Sequence, residues 1–134
     1  MARVTIDLTA HEFYKELSEK GANRPALFKT MKDLFMFCFA VGARNGIRRP
    51  LEDRVDVFST EAFDVDLDIP VLAGVYLGEV QNLLVLDAQQ GERLSLEVLK
   101  AAEEFANAGV VIVRDGFRSI EPERSLMMLL TVGV

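Results

Sequence analysis

The sequence contains little of the chemistry on which most enzymes depend. It has a single cysteine, Cys38, a single histidine, His11, and no tryptophan. One cysteine excludes an internal disulfide, and one histidine with no cysteine near it excludes a Cys/His zinc site or a histidine-based triad within the chain. The glycines form neither a GxxxxGK loop nor a GxGxxG fingerprint, so no nucleotide-binding motif is present. We therefore assign no catalytic, cofactor-binding or metal-binding residue and expect a protein that is not an enzyme.

The sequence also lacks a long apolar run. The longest extends over residues 34–41, far short of the roughly 18 to 20 residues that cross a bilayer. Residues 1–7 contain an acid and polar groups where a secretory signal peptide needs a continuous apolar stretch. We therefore expect a cytoplasmic protein that does not contact a membrane. Cys38 lies inside the apolar run, where a small buried thiol is the ordinary expectation.

What the sequence does have is a high apolar content and an uneven charge. Half of its 134 residues are hydrophobic, which is enough for one core, so we expect a single domain over residues 1–134. The net charge is −6, but residues 1–51 hold nine basic and five acidic residues, whereas residues 52–134 hold six and sixteen. This asymmetry indicates that different faces meet different partners, and the acidic majority argues against nonspecific nucleic-acid binding by the whole surface.

Periodicity and capping signals predict a mainly α domain of about four helices with one or two short strands or extended segments. Apolar and polar residues alternate over residues 3–8, which predicts a strand or an extended arm. Thr9 and Glu12 have the spacing of a capping box, so the first helix is predicted over residues 10–20.

The strongest predicted element is a helix over residues 30–42, which carries apolar groups on every side. Thr30 is positioned to be its N-cap, and Gly42 or Gly46 would end it. We expect neighbouring elements or a partner protein to cover this helix. A buried strand over residues 34–41 is the alternative, but the capping residues favour the helix.

Two further helices are predicted in the second half of the chain. The first, over residues 69–87, is expected to be largely buried, and the second, over about 94–113, is amphipathic. Within the second helix, Gly109 either lets a neighbouring backbone come close or ends the helix. Residues 125–133 are apolar and fit either a short helix or a strand. The charged residues of the amphipathic helix lie largely opposite its apolar stripe: Glu97, Lys100, Glu103 and Glu104.

An acidic segment, residues 55–69, alternates acids with apolar residues, which predicts a strand or an extended connection. Asp64, Asp66 and Asp68 match the first ligand spacings of a calcium loop, but the glycine and the glutamate that such a loop needs are missing. On a strand these acids share one face. We interpret them as a solvated acidic edge, with a partner-binding surface as the functional alternative and a metal site as the alternative with least support. A further alternative is a metal-dependent nuclease that uses the carboxylates of Asp56, Asp64, Asp66 and Glu79. No lysine lies near these acids in the sequence, which argues against it.

A basic loop is predicted over residues 43–54 from its glycine and proline content. Arg44, Arg48 and Arg49 have no acid among them, and guanidinium groups match the geometry of phosphates. They are candidates for nucleic-acid binding. The structural alternative is that they form salt bridges with the acidic stretch 52–68 or contact the C-terminal carbonyls of the preceding helix.

Two stretches of the chain together resemble a known family. Residues 28–51, FKTMKDLFMFCFAVGARNGIRRPL, resemble the signature of the small DNA-phosphorothioation-associated accessory proteins of bacterial Dnd-type loci. Residues 102–113, AEEFANAGVVIV, are similar to the second block of that family, an acidic helix that runs into an Asn-x-Gly step. Together the two stretches cover about a quarter of the chain.

The resemblance implies a helical protein encoded beside DNA-modification or restriction genes, with no catalytic residue or cofactor to carry over. Its implied role is that of an accessory or adaptor subunit in a DNA-modification-linked or anti-phage defence complex. The implied partners are larger protein subunits of the same locus, and DNA is reached through the complex. A related context is the middle component of three-part defence systems, which joins an SMC-like ATPase to an effector. No small-molecule substrate is expected.

Overall fold

The structure of the protein is a computed structural model that describes residues 2–18, 27–80 and 95–119. Within these ranges it is mainly α with two short strands, which confirms the predicted fold class. The predicted ends of the first and third helices, at residues 20 and 87, and the segment 125–133 lie outside the described residues. The elements in chain order are β1 (Arg3–Asp7), α1 (Leu8–Ser18), α2 (Met31–Asn45), β2 (Arg54–Ser59), a 3₁₀ turn (Thr60–Ala62), α3 (Asp68–Val80) and α4 (Leu96–Ser119).

Strands β1 and β2 form an antiparallel pair that leads directly into α1. This helix begins at Leu8 and not at residue 10, because Asp7 caps it in place of Thr9. The Asp7 Oδ2 atom accepts hydrogen bonds from the Thr9 backbone N–H at 3.3 Å and from its hydroxyl at 2.5 Å. The predicted capping box of Thr9 and Glu12 is therefore wrong, and the helix starts one half-turn earlier.

Helix α2 has the N-cap that the sequence predicts. The Thr30 hydroxyl accepts a hydrogen bond from the Asp33 backbone N–H at 3.1 Å. The helix ends at Gly46, whose φ of 66° is left-handed and favours glycine. The prediction that the helix ends at Gly46 is therefore correct. Gly42, the other predicted end, lies inside the helix, where it contacts α4.

Gly42 lies at the crossing of α2 with α4. A β-carbon on Gly42 would overlap the backbone carbonyl of Phe105, and one on Gly109 would overlap the carbonyl of Cys38. The two backbones therefore touch without side chains between them. Gly109 admits a neighbouring backbone and does not end the helix, since α4 continues past the predicted residue 113 to Ser119.

The hydrophobic core fills the space between α1, α2, α4 and the sheet. Phe39 of α2 meets Phe105 of α4 edge to face, with ring centroids 6.0 Å apart. Cys38 is fully buried beside this contact, and burial raises the pKa of its thiol to about 12. The expectation of a small buried thiol is confirmed. No helix in the described ranges is long and apolar enough to cross a membrane.

Within residues 2–18, 27–80 and 95–119, helix α3 packs against α4 by one side. Leu72 and Ala73 are buried, whereas Val71, Gly74 and Gly78 are exposed. The prediction of a largely buried helix over residues 69–87 holds for Leu72 and Ala73 and not for Val71, Gly74 or Gly78, and its part from residue 81 onwards lies outside the described residues. An apolar helix sequence does not reveal which side of the helix its neighbours cover.

Candidate functional site

The two stretches that carry the family resemblance contact each other through polar groups as well as through glycines. The Arg48 guanidinium forms an ion pair with Glu104 of α4, at 2.9 Å from Nη2 to Oε1. The Arg49 backbone N–H donates to the Glu104 carbonyl at 3.0 Å. The Asn107 side-chain amide donates to the carbonyls of Arg49 and Pro50, at 3.1 and 3.2 Å. Side-chain and backbone groups of α4 therefore hold the loop that follows α2.

Glu103, next to Glu104, ties α4 to the sheet in the same way. One carboxylate oxygen accepts hydrogen bonds from the Thr5 backbone N–H at 2.7 Å and its hydroxyl at 2.6 Å. The other accepts from the Arg54 guanidinium at 3.0 Å. The side chains of Glu103 and Glu104 are only 6% and 10% exposed, so their predicted position on the solvent side of the helix is wrong. Each is buried with an arginine partner, as a buried carboxylate requires.

This arrangement divides the three arginines predicted to bind nucleic acid. Arg48 is held by Glu104 and lies over the Phe105 ring, with its Cζ atom 5.8 Å from the ring centroid. Arg44 and Arg49 have exposed side chains. Between them in sequence lies Ile47, which is 50% exposed. We call these three exposed residues, Arg44, Ile47 and Arg49, the basic end.

The prediction of a strand in the acidic segment is correct for residues 55–59, which belong to β2, and the rest of the segment turns into α3. The Asp64 carboxylate accepts from the backbone N–H groups of Asp66 and Leu67, at 2.8 and 2.9 Å. The Asp68 carboxylate accepts from the Asp64 N–H and from Lys32 Nζ, both at 2.8 Å. The hydrogen bond to Asp68 raises the pKa of Lys32.

Asp64, Asp66 and Asp68 were predicted to share one face if the segment formed a strand. They do not, because each has a different position in the turn. The Asp68 side chain is 15% exposed in its ion pair with Lys32, while Asp64 and Asp66 are exposed. Within residues 2–18, 27–80 and 95–119, no three His, Cys, Asp or Glu side chains are grouped so as to hold a metal ion.

Three apolar side chains are exposed beside this turn, and the sequence patterns did not single them out. They are Val65, Leu67 and Val71, of which Leu67 is the most exposed at 69%. The backbone N–H of Asp68 donates to the Asp64 carbonyl at 2.9 Å, so helical bonding starts before α3 itself. Leu67 therefore lies in the turn that directly precedes α3, and Val71 lies in the first turn of α3. We call the surface formed by Asp64, Val65, Asp66, Leu67 and Val71 the acidic–apolar face.

The acidic–apolar face and the basic end lie at opposite ends of α2. The Lys32 ion pair joins the first turn of this helix to Asp68, and Arg44 is in its last turn. At 1.5 Å per residue, Lys32 and Arg44 are separated by about 18 Å along the helix axis. The protein thus presents two exposed surfaces of opposite charge, separated by one helix.

Comparison with protein families identifies the chain. A protein-family model described as DNA sulphur modification system-associated protein 4 matches residues 3–132, a range that includes both resembling stretches. No curated protein and no solved structure matches the chain. The family match confirms the resemblance to the Dnd-associated accessory proteins. The chain therefore belongs to the family of DNA sulphur modification system-associated protein 4.

Proposed function

We propose that this protein is a non-catalytic adaptor that bridges two larger proteins of a bacterial DNA sulphur modification system, in the cytoplasm, as part of an anti-phage defence complex. Family membership supports the association with such a system. The bridging role rests on one observation: the acidic–apolar face and the basic end are both exposed and lie at opposite ends of α2. Surfaces of opposite charge select different partners, since each surface attracts a partner of the opposite charge and repels one of its own charge.

An adaptor must hold its two binding surfaces at a fixed separation, and both surfaces are anchored to the core. Glu104 and Asn107 fix the loop that carries the basic end. The Lys32 ion pair with Asp68 fixes the turn that carries the acidic–apolar face. Anchored surfaces lose less conformational entropy on binding than mobile ones, which favours affinity.

The test is co-expression of the tagged chain with the proteins encoded beside it, singly and in pairs. We expect a complex of three components in which Asp66→Lys releases one partner and Arg49→Glu releases the other. Glu97→Lys, a charge reversal at an exposed residue of α4, is the matched control and should release neither. A chain that purifies alone and never co-elutes with these proteins would end the proposal, as would two variants that release the same partner.

Direct DNA contact through Arg44 and Arg49 is the second candidate function, and their exposure at the basic end favours it. It predicts DNA binding that weakens steeply with salt. Arg49→Ala should weaken binding across sequences and reduce the salt slope by about 1. Glu97→Ala, a change of an exposed acid on α4, is the control and should leave the slope unchanged. Absence of a shift with duplex or single-stranded DNA at low salt would exclude this function for the isolated protein.

A further inference from the structure

The acidic–apolar face and the basic end are complementary to each other in charge and in apolar content. In the first, exposed Asp66 precedes Leu67, which is 69% exposed. In the second, exposed Arg49 lies close in the loop to Ile47, which is 50% exposed. Neither the Asp66 carboxylate nor the Arg49 guanidinium forms an ion pair in the part of the chain that the structure describes. Each surface therefore offers the charge that would neutralise the other.

The two surfaces cannot meet within one molecule. They lie at opposite ends of α2, and both are fixed to the core, one through Glu104 and Asn107 and the other through the ion pair of Lys32 with Asp68. Contact between them therefore needs two molecules, with the acidic–apolar face of one against the basic end of the other. A contact of this kind leaves one surface of each type unoccupied, so further copies extend it into a chain or close it into a ring.

Charge distinguishes among the possible occupants of the acidic–apolar face. Nucleic acid would be repelled by Asp64 and Asp66, and so would the same face of a second copy. Residues 81–94 and residues 120–134 of this chain each hold two acidic residues and one basic residue, so both segments are net acidic. The basic end of a second copy supplies the positive charge of Arg49 together with an exposed apolar side chain. It is therefore the part of this chain that fits the face.

The net charge of −6 opposes the approach of two copies, and salt decides which effect is larger. At about 0.1 M salt the Debye length is about 10 Å, so repulsion between charges spread over two molecules is largely screened, while ion pairs in contact are screened less. At about 1 M salt the Debye length falls to about 3 Å, and the ion pairs weaken as well. Association is therefore expected near 0.1 M salt and not near 1 M.

We infer that the chain associates with itself head to tail, with the acidic–apolar face of one copy bound to the basic end of the next. Asp66 then lies opposite Arg49, and Leu67 lies against Ile47. Few side chains form the contact, which places it among the weak interfaces that bury less than about 1,200 Å². The inference concerns the chain alone and does not rest on the adaptor function. A larger protein that binds either surface would displace the neighbouring copy.

The experiment is sedimentation velocity of the purified full chain over a range of concentrations in about 0.1 M salt. The sedimentation coefficient of the wild type should rise with concentration and return to the monomer value in about 1 M salt. Asp66→Lys and Arg49→Glu should each be monomeric alone, because each places like charges opposite each other. An equimolar mixture of the two variants should associate as the wild type does, since each supplies the charge that the other has lost. The double variant should also associate.

The controls are Glu97→Lys and Lys100→Glu, charge reversals at exposed residues of α4, which should associate as the wild type does. Thermal unfolding verifies that every variant is folded, since exposed changes alter stability by about 0.5 kcal/mol or less. A wild type that stays monomeric would overturn the inference and would mean that other proteins or other segments of this chain meet these surfaces. Association that only one of the two variants abolishes, or a mixture that stays monomeric, would overturn it too. Co-purification with proteins of the locus is measured separately, so the adaptor function stands or fails independently.

Discussion

Gly42 and Gly109 face each other where α2 crosses α4, and neither position has room for a side chain. A β-carbon on Gly109 would lie 2.9 Å from the Gly42 backbone nitrogen and would overlap the Cys38 carbonyl. Gly42 belongs to the first stretch that resembles the family and Gly109 to the second. The two stretches are therefore parts of one structural unit, in which a backbone contact joins the helices and Arg48, Glu104 and Asn107 fix the loop beside it.

Gly42→Ala is expected to destabilise the protein by about 1 to 3 kcal/mol or more, because the methyl group meets backbone that cannot rotate away. Chemical denaturation measures the free energy of unfolding. Gly74→Ala is the matched control, and it should stabilise the protein by up to about 1 kcal/mol. Equal stability of the Gly42→Ala variant and the wild type would contradict the backbone contact.

Asn107→Ala is expected to cost about 1 to 3 kcal/mol, since the Arg49 and Pro50 carbonyls would lose the amide that donates to them. Hydrogen exchange should also become faster in the loop that carries the basic end. Glu97→Ala, an exposed change on the same helix, should alter the free energy of unfolding by less than about 0.5 kcal/mol. An Asn107→Ala protein with wild-type stability would show that the loop is held by other groups.

Elements with local signals were predictable from the sequence. Thr30 and Gly46 sit beside the helix that they begin and end, and a cap depends only on neighbours in the chain. Asp7 shows the limit of that reasoning. It caps α1 in place of Thr9 while also accepting N–H groups from Glu52 and Asp53, and this second role is not visible from its own neighbours.

Long-range pairings had no local signal. Arg48 and Glu104 are far apart in sequence, and a glutamate that alternates with apolar residues on a helix has the same pattern whether it faces water or a buried arginine. The exposed side of α3 was missed for a different reason. Its apolar sequence predicts burial, whereas among the described residues α4 covers one side of the helix and leaves Gly74 and Gly78 open.

Asp7 is expected to make stability depend on acid pH. Burial raises the pKa of this carboxyl, but hydrogen bonds from Thr9, Asp53 and Glu52 outweigh it and lower the pKa from 3.8 to about 2. A group with a depressed pKa in the folded state stabilises the protein above its unfolded pKa, and this contribution is lost as pH falls from about 4 to 2. Its size is about 2 kcal/mol.

The check for Asp7 is the free energy of unfolding measured at several pH values. Asp7→Asn should lower stability at neutral pH and flatten the loss between about pH 4 and pH 2. If the wild type and this variant lose stability in parallel over that range, the acid dependence comes from other carboxyl groups.

Cys38 is expected to be unreactive in the folded protein. Burial raises its pKa to about 12, and only the thiolate attacks disulfide reagents. At about pH 8 an aromatic disulfide reagent should label the thiol only as fast as the protein unfolds, and labelling should be immediate in denaturant. Fast labelling of the folded protein would mean that α2 separates from its neighbours far more readily than the packed core implies.

The most direct test of the adaptor account is hydrogen exchange of the chain alone and in complex with each protein from its locus that co-purifies with it. The account predicts that one partner slows exchange across residues 64–71 and that another slows exchange in the loop that follows α2, with the exchange of α2 near Gly42 unchanged by either. Slower exchange at the same surface with both partners would contradict it.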